Sequence, residues 1–253
     1  MAGKRVCVTG STQGIGYGVA EAFARSGARL VINSHLPDEG ATQRLSELTE
    51  THFVQADLST VDGTQTLIDA AWERLGALDT LVCNAGTFRD SAFLNLSEDA
   101  FDATFDLNVK GPLFCAQSFA RRLPEDHGGA SVILTGSTNS LSAEMDSVAY
   151  DASKGAVLML VRSLAVNLAP HRIRVNGIGP GIVDTPLTRT GLDSGKTREI
   201  LSGQIPLGRI GVPDDVGGAV VFLASEAARY VTGQMIYIDG GILANQMNWD
   251  SPE

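Results

Sequence analysis

Cysteine, aromatic residues and positive charge are all scarce in this sequence. Three cysteines among 253 residues are an odd number and too few for a disulfide framework, so buried free thiols in a reducing compartment are expected. Nineteen basic against 29 acidic residues leave a net charge of −10, which argues against nucleic acid or an anionic membrane surface as a partner. The four histidines lack paired ligand spacing, so no metal site is predicted.

Long apolar runs are missing as well. The chain goes from Met1 almost directly into a strand-like segment, without an apolar stretch of signal-peptide length. The longest apolar helical pattern, around 155–169, carries Arg162 and Asn167 and is too short and too polar to span a bilayer. We therefore expect a soluble cytoplasmic protein without a membrane segment.

The sequence does contain a regular alternation of short apolar strands and helices. Predicted strands cover 6–9, 29–33, 52–56, 78–83, 130–135, 173–178 and 235–238. Predicted helices cover 14–26, 37–50, 61–75, 97–123, 148–168 and 213–224. The pattern predicts an α/β fold: a doubly wound, Rossmann-type parallel sheet of about seven strands with helices on both faces, forming a single domain over residues 1–253.

Residues 185–211 form a looser segment, rich in turn and polar residues. The segment follows the end of the sixth predicted strand, and ligands bind at strand ends in such sheets. We predict that it is a substrate lid.

A glycine-rich turn, Thr9-Gly10-Ser11-Thr12-Gln13-Gly14-Ile15-Gly16, joins the first strand to the first helix. Glycine allows the backbone to approach a pyrophosphate, and a helix N-terminus offers free N–H groups and a positive dipole end. Three glycines alone would fit a tight turn without a ligand equally well. The strand before them and the helix after them favour a dinucleotide site.

Tyr150 and Lys154 are four residues apart in a predicted helix and therefore share one face. The ammonium of Lys154 is expected to lower the pKa of the Tyr150 phenol, because a nearby positive charge favours the phenolate. Such a phenol can exchange a proton with an alcohol or carbonyl near neutral pH. Together with the glycine turn, the pair suggests hydride transfer between a nicotinamide cofactor and a carbonyl/alcohol pair.

The order and spacing of several motifs resemble the short-chain dehydrogenase/reductase family over essentially the whole chain. The motifs are Thr9-Gly10, Gly14-Ile15-Gly16, Asp57-Leu58, Asn84-Ala85-Gly86, Asn108, Ser137, Tyr150, Lys154 and Pro180-Gly181. One such motif would be a weak signal, whereas all of them in order are specific. The resemblance implies an NAD(P)-dependent oxidoreductase acting on CH–OH groups.

The resemblance also implies four catalytic positions. Ser137 would donate to the substrate oxygen, and Tyr150 would exchange the proton. Lys154 would lower the pKa of Tyr150 and bond the nicotinamide ribose. Asn108 would hold, at a bulge in its helix, a water that connects Lys154 to solvent. Pro112 removes a backbone hydrogen bond and is expected to kink that helix.

Cofactor contacts follow from the same resemblance. Asp57 would accept from the adenine amine, although a turn or helix-cap role fits that position nearly as well. Pro180-Gly181 and Thr185 would lie against the nicotinamide carboxamide. The predicted cofactor residues are Gly10, Thr12, Gln13, Gly14, Ile15, Gly16, Ser34, His35, Asp57, Leu58, Asn84, Ala85, Gly86, Tyr150, Lys154, Pro180, Gly181, Val183 and Thr185.

The choice between NAD and NADP stays open. Ser34 stands at the end of the second strand, where an acidic residue would bind the ribose hydroxyls of NAD and repel a 2′-phosphate. Positive groups for a 2′-phosphate are weak, because Gln13 is neutral and His35 is only a partial cation at neutral pH. Asp38 and Glu39 lie nearby and oppose a phosphate.

The substrate is a small molecule, and its pocket is expected to involve Ser137, Asn139, Glu144, Tyr150 and Arg89. Hydrogen-bonding groups at 139 and 144 suit a sugar or polyol, although Glu144 also fits an exposed loop carboxylate. A 3-oxoacyl-carrier-protein reductase is the alternative. It requires docking of an acidic carrier on a chain of charge −10, through a basic patch such as Arg121-Arg122.

Two further expectations rest on analogy. A dinucleotide-sensing protein without catalysis could use the same fold, but all four catalytic positions are present here. The resemblance implies a homotetramer built through the helices at 97–123 and 148–168 and the last strand. Met247 and Trp249, in the tail from Gly240, are expected to reach a neighbouring subunit.

Overall fold

The computed structural model describes residues 1–89, 91–192 and 194–245. Seven strands in this part of the chain form one parallel sheet. The strands are β1 Arg5–Val8, β2 Arg29–Ser34, β3 Thr51–Gln55, β4 Thr80–Cys83, β5 Ala130–Thr135, β6 Ile173–Pro180 and β7 Met235–Ile238. Their spatial order is β3-β2-β1-β4-β5-β6-β7, so the direction of winding reverses between β1 and β4. Such a reversal opens a crevice at the carboxyl ends of the strands.

Helices cover both faces of the sheet. They are α1 Gly14–Arg25, α2 Ala41–Ser46, α3 Val61–Leu75, α4 Glu98–Phe105, α5 Gly111–Arg122, α6 Val148–Leu168, α7 Arg189–Leu192, α8 Gly195–Gln204 and α9 Asp214–Ala224. One core layer holds α3, α5 and α6 side chains such as Leu67, Phe119 and Val157. The other holds α1 and α9 side chains such as Phe23 and Val220. The predicted fold class is confirmed.

Two predicted helices differ from the structure. The helix predicted over 37–50 is limited to α2, Ala41–Ser46. Gly40, at φ 94°, breaks the helical backbone before it, and the Asp38 carboxylate accepts from the N–H groups of Ala41 and Thr42. The helix predicted over 97–123 is divided by a π turn, Asp106–Lys110, between α4 and α5. The predicted bulge near Asn108 is therefore present.

The segment 185–211 is more regular than the sequence suggests. Its described residues include the short helices α7 and α8, and the Ser194 side chain caps α8 by accepting from the N–H of Thr197. The isolated bridge between Val183 and Gly211 ties the two ends of the segment together. A unit closed at its base in this way suits a predicted lid.

Within the described residues, one helical stretch, 148–171, is long and apolar enough by length and composition to cross a membrane. The core helix of a soluble protein meets the same criterion. In the fold, this stretch is mostly α6, which packs against β6, and buries Val157 and Val161 in the core. Its apolar composition is thus partly explained by packing on the sheet.

Candidate active site

The carboxyl ends of four neighbouring strands carry most of the predicted site. Gly10 follows β1, Asn84 follows β4, Ser137 follows β5 and Gly181 follows β6. Because parallel strands end at the same edge of a sheet, these positions face one crevice. The Asn84 amide donates to the carbonyl oxygens of Thr9 and Gly10, at 3.1 and 3.0 Å, and so joins two of the loops.

The glycine turn is held in a backbone shape that only glycine adopts without strain. Gly10 and Gly14 have φ of 58° and 57°. A Cβ at Gly10 would lie 2.8 Å from the Ala85 Cα, and one at Gly16 would lie 2.2 Å from the Gly10 carbonyl oxygen. At Gly14 a Cβ would lie 3.4 Å from the Thr185 Cβ, so the turn adjoins the start of the predicted lid.

The N-terminus of α1 fits an anionic ligand. Gln13 occupies the N-cap position without a side-chain hydrogen bond, and the first turn has no acidic residue. Helices α3 and α4, in contrast, are capped by Thr60 and Ser97 and carry acidic residues in their first turns. The N–H groups of the first turn of α1 are therefore oriented for a pyrophosphate, which would be held by the predicted residues Thr12 to Gly16.

The predicted adenine end is organised by Asn33, which the sequence reasoning missed. The Asn33 Oδ1 accepts from the Gly10 N–H, and Nδ2 donates to the carbonyl oxygens of Val54 and Ala56. This buried amide sets the distance between the glycine turn and the loop that contains Asp57-Leu58. Its signal in the sequence was an amide inside an apolar strand, where a buried polar group needs partners.

Asp57 makes the turn contact that the sequence left as an alternative. Its carboxylate accepts from the Ser59 N–H at 3.0 Å, and that hydrogen bond holds the pKa of Asp57 below its usual value. Ser34 is half-buried and its hydroxyl accepts from the Leu36 N–H, while His35 is exposed. Asp38 is turned to the α2 N-terminus and not toward the end of β2.

Tyr150 and Lys154 lie in the first turns of α6, as predicted. The Lys154 Nζ is 5.4 Å from the centroid of the Tyr150 ring and donates to the Thr135 carbonyl oxygen at 3.0 Å. The edge of the Phe88 ring packs against Tyr150, with centroids 4.7 Å apart and planes at 82°. Sequence reasoning missed Phe88, because a loop aromatic carries no motif that would mark it.

The electrostatics of this pair differ from the sequence expectation. The pKa of Tyr150 is raised to about 12: burial is the largest cause, a hydrogen bond with Ser137 opposes it, and the nearby carboxylates of Glu144 and Asp151 add to the increase. Burial also lowers the pKa of Lys154 to about 8. The expected lowering of the Tyr150 pKa was therefore wrong for this structure, because desolvation is the largest influence on the phenol and Lys154 is not among the groups that shift its pKa.

Asn108 lies in the π turn and contacts both the loop that follows β4 and helix α6. Its Oδ1 accepts from the Thr87 N–H at 2.8 Å, and its Nδ2 donates to the Thr87 carbonyl and the Ser153 hydroxyl. A Cβ at Gly86 would lie 3.2 Å from the Asn108 Oδ1 and 3.8 Å from the Lys154 Nζ. Asn84-Ala85-Gly86, Asn108 and Lys154 are thus brought together, as the motifs predicted.

The predicted substrate residues divide into two groups. Ser137 and Asn139 are buried and hydrogen-bonded to each other, with Ser137 Oγ donating to Asn139 Oδ1 at 3.1 Å. Arg89 and Glu144 are exposed, on loops beside Tyr150. Asp151 accepts a hydrogen bond from Asn139. It was not among the predicted residues, although it lies between Tyr150 and Lys154 in the sequence.

The remaining predicted contacts lie after β6. Pro180 is the last residue of β6, and Gly181 follows it. The Gly181 N–H donates to the Ile238 carbonyl oxygen. Val183 and Thr185 are buried, and the Thr185 backbone N–H donates to the Thr188 hydroxyl oxygen at 3.0 Å. Met247 and Trp249 lie outside the described residues. No group of three or more metal-ligating side chains occurs in the described ranges.

Comparisons with known proteins agree with this geometry. A family model described as enoyl-(acyl carrier protein) reductase matches residues 10–243. L-rhamnose 1-dehydrogenase (NAD(P)(+)) of Azotobacter vinelandii is 37% identical over 249 residues, which cover 96% of this chain and 97% of the relative. 2-dehydro-3-deoxy-D-gluconate 5-dehydrogenase of Escherichia coli is 37% identical over 244 residues, with 96% of each chain covered.

A solved structure of another relative has a similar fold. Gluconate 5-dehydrogenase of Burkholderia cenocepacia, in complex with NADP and tartrate, superposes with a TM-score of 0.89 at 32% identity and covers 97% of each chain. The family resemblance and the prediction of an NAD(P)-dependent enzyme acting on CH–OH groups are confirmed. This chain belongs to the short-chain dehydrogenase/reductase family.

Proposed function

We propose that the protein is a sugar, sugar-acid or polyol dehydrogenase. The observation that carries the proposal is the cluster of buried Ser137 and Lys154 with half-buried Tyr150 at the carboxyl edge of the sheet, beside a helix N-terminus without a side-chain cap. Relatives named for rhamnose and a deoxygluconate support a hydroxylated substrate. The buried amide of Asn139 next to Ser137 supports it as well, because such groups favour partners that hydrogen-bond.

In the proposed mechanism, a bound NAD(P) would supply the nicotinamide that takes up the hydride from the alcohol carbon in oxidation. Tyr150 as phenolate takes the hydroxyl proton, and Ser137 donates a hydrogen bond to the same oxygen. Lys154 binds the ribose and passes the proton on from Tyr150. Asn108, fixed by Thr87 and Ser153, holds a water at the end of this path. Reduction follows the same steps in reverse.

The segment 185–211 closes over the substrate in this proposal. Its base is tied by the bridge between Val183 and Gly211, and the Asp184–Arg198 ion pair, at 2.7 Å, fastens α8 to the strand end. The exposed side chains of Leu187 and Ile200 offer apolar surface that closure would cover. Closure excludes water from a proton-transfer site.

A second candidate is reduction of the 3-oxo group of an acyl thioester on a carrier protein. The support for it is that the matching family model is described by an acyl-carrier-protein substrate. Exposed apolar side chains near Tyr150, such as Leu141 and Met145, favour an acyl chain over a sugar. The net charge of −10 opposes docking of an acidic carrier protein. The names of the relatives favour the sugar.

We also propose a homotetramer in the cytoplasm. Val148, Met159 and Val166 on α6 are exposed at 45%, 57% and 75%, which is unusual for apolar residues of an ordered helix. The three cysteines are free and buried, which suits a reducing compartment. Light scattering coupled to size exclusion tests the assembly, since a monomer mass would contradict it.

The test of the activity is an initial-rate assay of NAD and NADP reduction with aldoses, sugar acids, polyols and 3-hydroxyacyl thioesters. Turnover of a hydroxylated substrate with one of the cofactors is the expected result. Turnover of thioesters alone would assign the second candidate. If cofactor binds but no substrate reacts at any pH, the dehydrogenase proposal is wrong.

A further inference from the structure

A chain of hydrogen bonds leads from Ser137 to a carboxylate on α6. Ser137 Oγ donates to Asn139 Oδ1 at 3.1 Å and accepts from the Asn139 N–H at 3.2 Å. The other end of the same amide, Asn139 Nδ2, donates to Asp151 Oδ1 at 2.7 Å. The second oxygen, Asp151 Oδ2, accepts from the Glu144 N–H at 3.1 Å.

The carboxylate determines which way the amide faces. A carboxylate only accepts, so it selects the amide orientation in which Nδ2 points to Asp151 and Oδ1 points to Ser137. Hydrogen bonds to an ionised group are shorter and stronger than neutral ones, and the 2.7 Å contact is of that kind. Ser137 and Asn139 are buried, with exposures of 8% and 6%, and an amide turned the other way would set its Oδ1 against the Asp151 carboxylate, so that two acceptors would face each other without a proton between them.

We propose that Asp151 is a positioning residue that acts through Asn139. The Asn139 Oδ1 accepts the single hydroxyl proton of Ser137 in the free protein, and the substrate oxygen replaces it as the acceptor of that proton when substrate binds. The inference rests on the proposed function of Ser137. Because Asp151 directly follows Tyr150 on α6, one helical turn holds both the proton-exchanging phenol and the carboxylate that orients its partner serine. The Glu144 N–H bond extends the same control to the loop 141–147 at the mouth of the site.

Asp151 also contributes charge to the site. Tyr150 is faced by the carboxylates of Glu144 and Asp151 and by the ammonium of Lys154 across its ring. The Asp151 carboxylate raises the pKa of Tyr150, since a negative neighbour disfavours the phenolate. Two effects of the residue, on geometry and on charge, are therefore separable by substitution.

Two variants of Asp151 separate its effect on geometry from its effect on charge. Asp151→Asn keeps an oxygen that accepts from Asn139 Nδ2 but removes the charge and the acceptor of the Glu144 N–H. Asp151→Ala removes that oxygen as well. We expect Asp151→Ala to lower kcat by about tenfold, less than the loss of a whole donor at the substrate oxygen. We expect Asp151→Asn to keep kcat within about threefold of the wild type, because a neutral acceptor retains most of such a contact. Both variants should shift the alkaline rise of the oxidation rate to lower pH.

A double-variant cycle identifies the route of the effect. If Asp151 acts through Ser137, adding Asp151→Ala to Ser137→Ala changes kcat by less than about twofold, because the oriented hydroxyl is already gone. Full multiplication of the two losses would overturn the proposal. Exposed Glu73→Gln on α3 serves as the control for loss of a carboxylate far from the site.

The wild type on its best substrate provides the reference, so a failed substrate assignment is recognised before any variant is made. Cofactor affinity, measured by fluorescence titration, and the melting temperature show whether each variant is folded. Wild-type kcat in a folded Asp151→Ala overturns the proposal. If Asp151→Ala does not fold, Asp151→Asn decides: a tenfold loss of kcat with an unshifted pH profile would also overturn it.

Discussion

The two edges of the sheet offer polar groups in opposite ways. At the amino edge a cavity of about 290 Å³ is lined by Lys4, Arg172, Arg174 and Arg229, together with acidic residues and backbone. The Arg174 guanidinium there donates to the carbonyl oxygens of Leu223, Ser225 and Val231. The guanidinium therefore connects β6 with the end of α9 and with the chain at Val231, and its role at this edge is structural.

At the carboxyl edge, in contrast, the protein leaves polar groups with few hydrogen-bond partners of its own. Lys154 is buried with one backbone carbonyl as a hydrogen-bond acceptor and a lowered pKa. The α1 N-terminus lacks the side-chain cap that α3 and α4 have. Cavity volume and positive charge thus do not identify the site in this molecule. The site is identified instead by a desolvated ionisable group, Lys154, near the uncapped N–H groups of α1.

The sharpest way to test this contrast is Tyr150→Phe. We expect kcat to fall by about 10³-fold, because the hydroxyl that exchanges the proton is lost. The NAD(P) affinity should stay near the wild-type value, since the ring still packs against Phe88. Initial rates and fluorescence titration measure the two quantities. Retained turnover would remove Tyr150 from the mechanism.

Lys154→Met is expected to lower activity while making the fold more stable at neutral pH. The folded pKa, about 8, lies below the ordinary 10.5, so the unfolded chain binds more protons and Lys154 costs stability below pH 8. Above pH 8 this cost declines and disappears near 10.5. The variant should gain on the order of 2 kcal/mol at pH 7 and lose that advantage by pH 11. Denaturant unfolding at several pH values checks the sign, and an equal gain at all pH values would contradict it.

Gly16→Ala tests the glycine turn. The new Cβ would lie 2.2 Å from the Gly10 carbonyl oxygen and 2.5 Å from Asn84 Nδ2, so the turn has to move. We expect a higher KM for the cofactor and a loss of about 1–3 kcal/mol in the free energy of unfolding. Gly155→Ala, where a Cβ meets no atom within 4 Å, is the matched control. Unchanged KM in Gly16→Ala would argue against a phosphate contact at this turn.

Arg174→Met tests the amino edge and should have the smallest effect on catalysis. Loss of the guanidinium leaves up to three carbonyl oxygens without these donors, and we expect a loss of about 1–3 kcal/mol in stability. Neither kcat nor KM should change at temperatures where the variant is folded. A large change in KM would show that the amino edge takes part in substrate or cofactor binding.

Patterns along the chain predicted the sheet well, because buried parallel strands are continuous apolar runs between turn residues. The bounds of β5, α3 and α6 were predicted to the residue. Helix α2 was overestimated, since its limits depend on the Gly40 backbone and on Asp38, and neither has a strong periodic signal. Position in a strand-helix order is thus easier to predict than the point where a helix begins.

The site was predictable where a motif covers it and not where loops meet. Asn84, Asn108 and Lys154 lie together as their motifs indicated. Phe88 and Asp151 take part in contacts between a loop and helix α6, which no spacing rule reveals. The direction of the Tyr150 pKa was predicted wrongly, because the sequence displays the charge of a neighbour but not the depth of burial. The roles of these side chains remain predictions that the variants test.

The π turn at Asp106–Lys110 has a consequence for the register of everything that follows it. An α-helix turns by about 100° per residue, so the one additional residue in a wide turn rotates α5 relative to α4 by roughly that angle. Deleting Val109 would restore a continuous helix and swing the Phe119 face of α5 away from α3. The core on this side of the sheet therefore depends on the same residue insertion that exposes Asn108 to Thr87 and Ser153. A substitution that relaxes the wide turn is therefore expected to disturb the packing of one core layer and the alignment of the proposed proton path together.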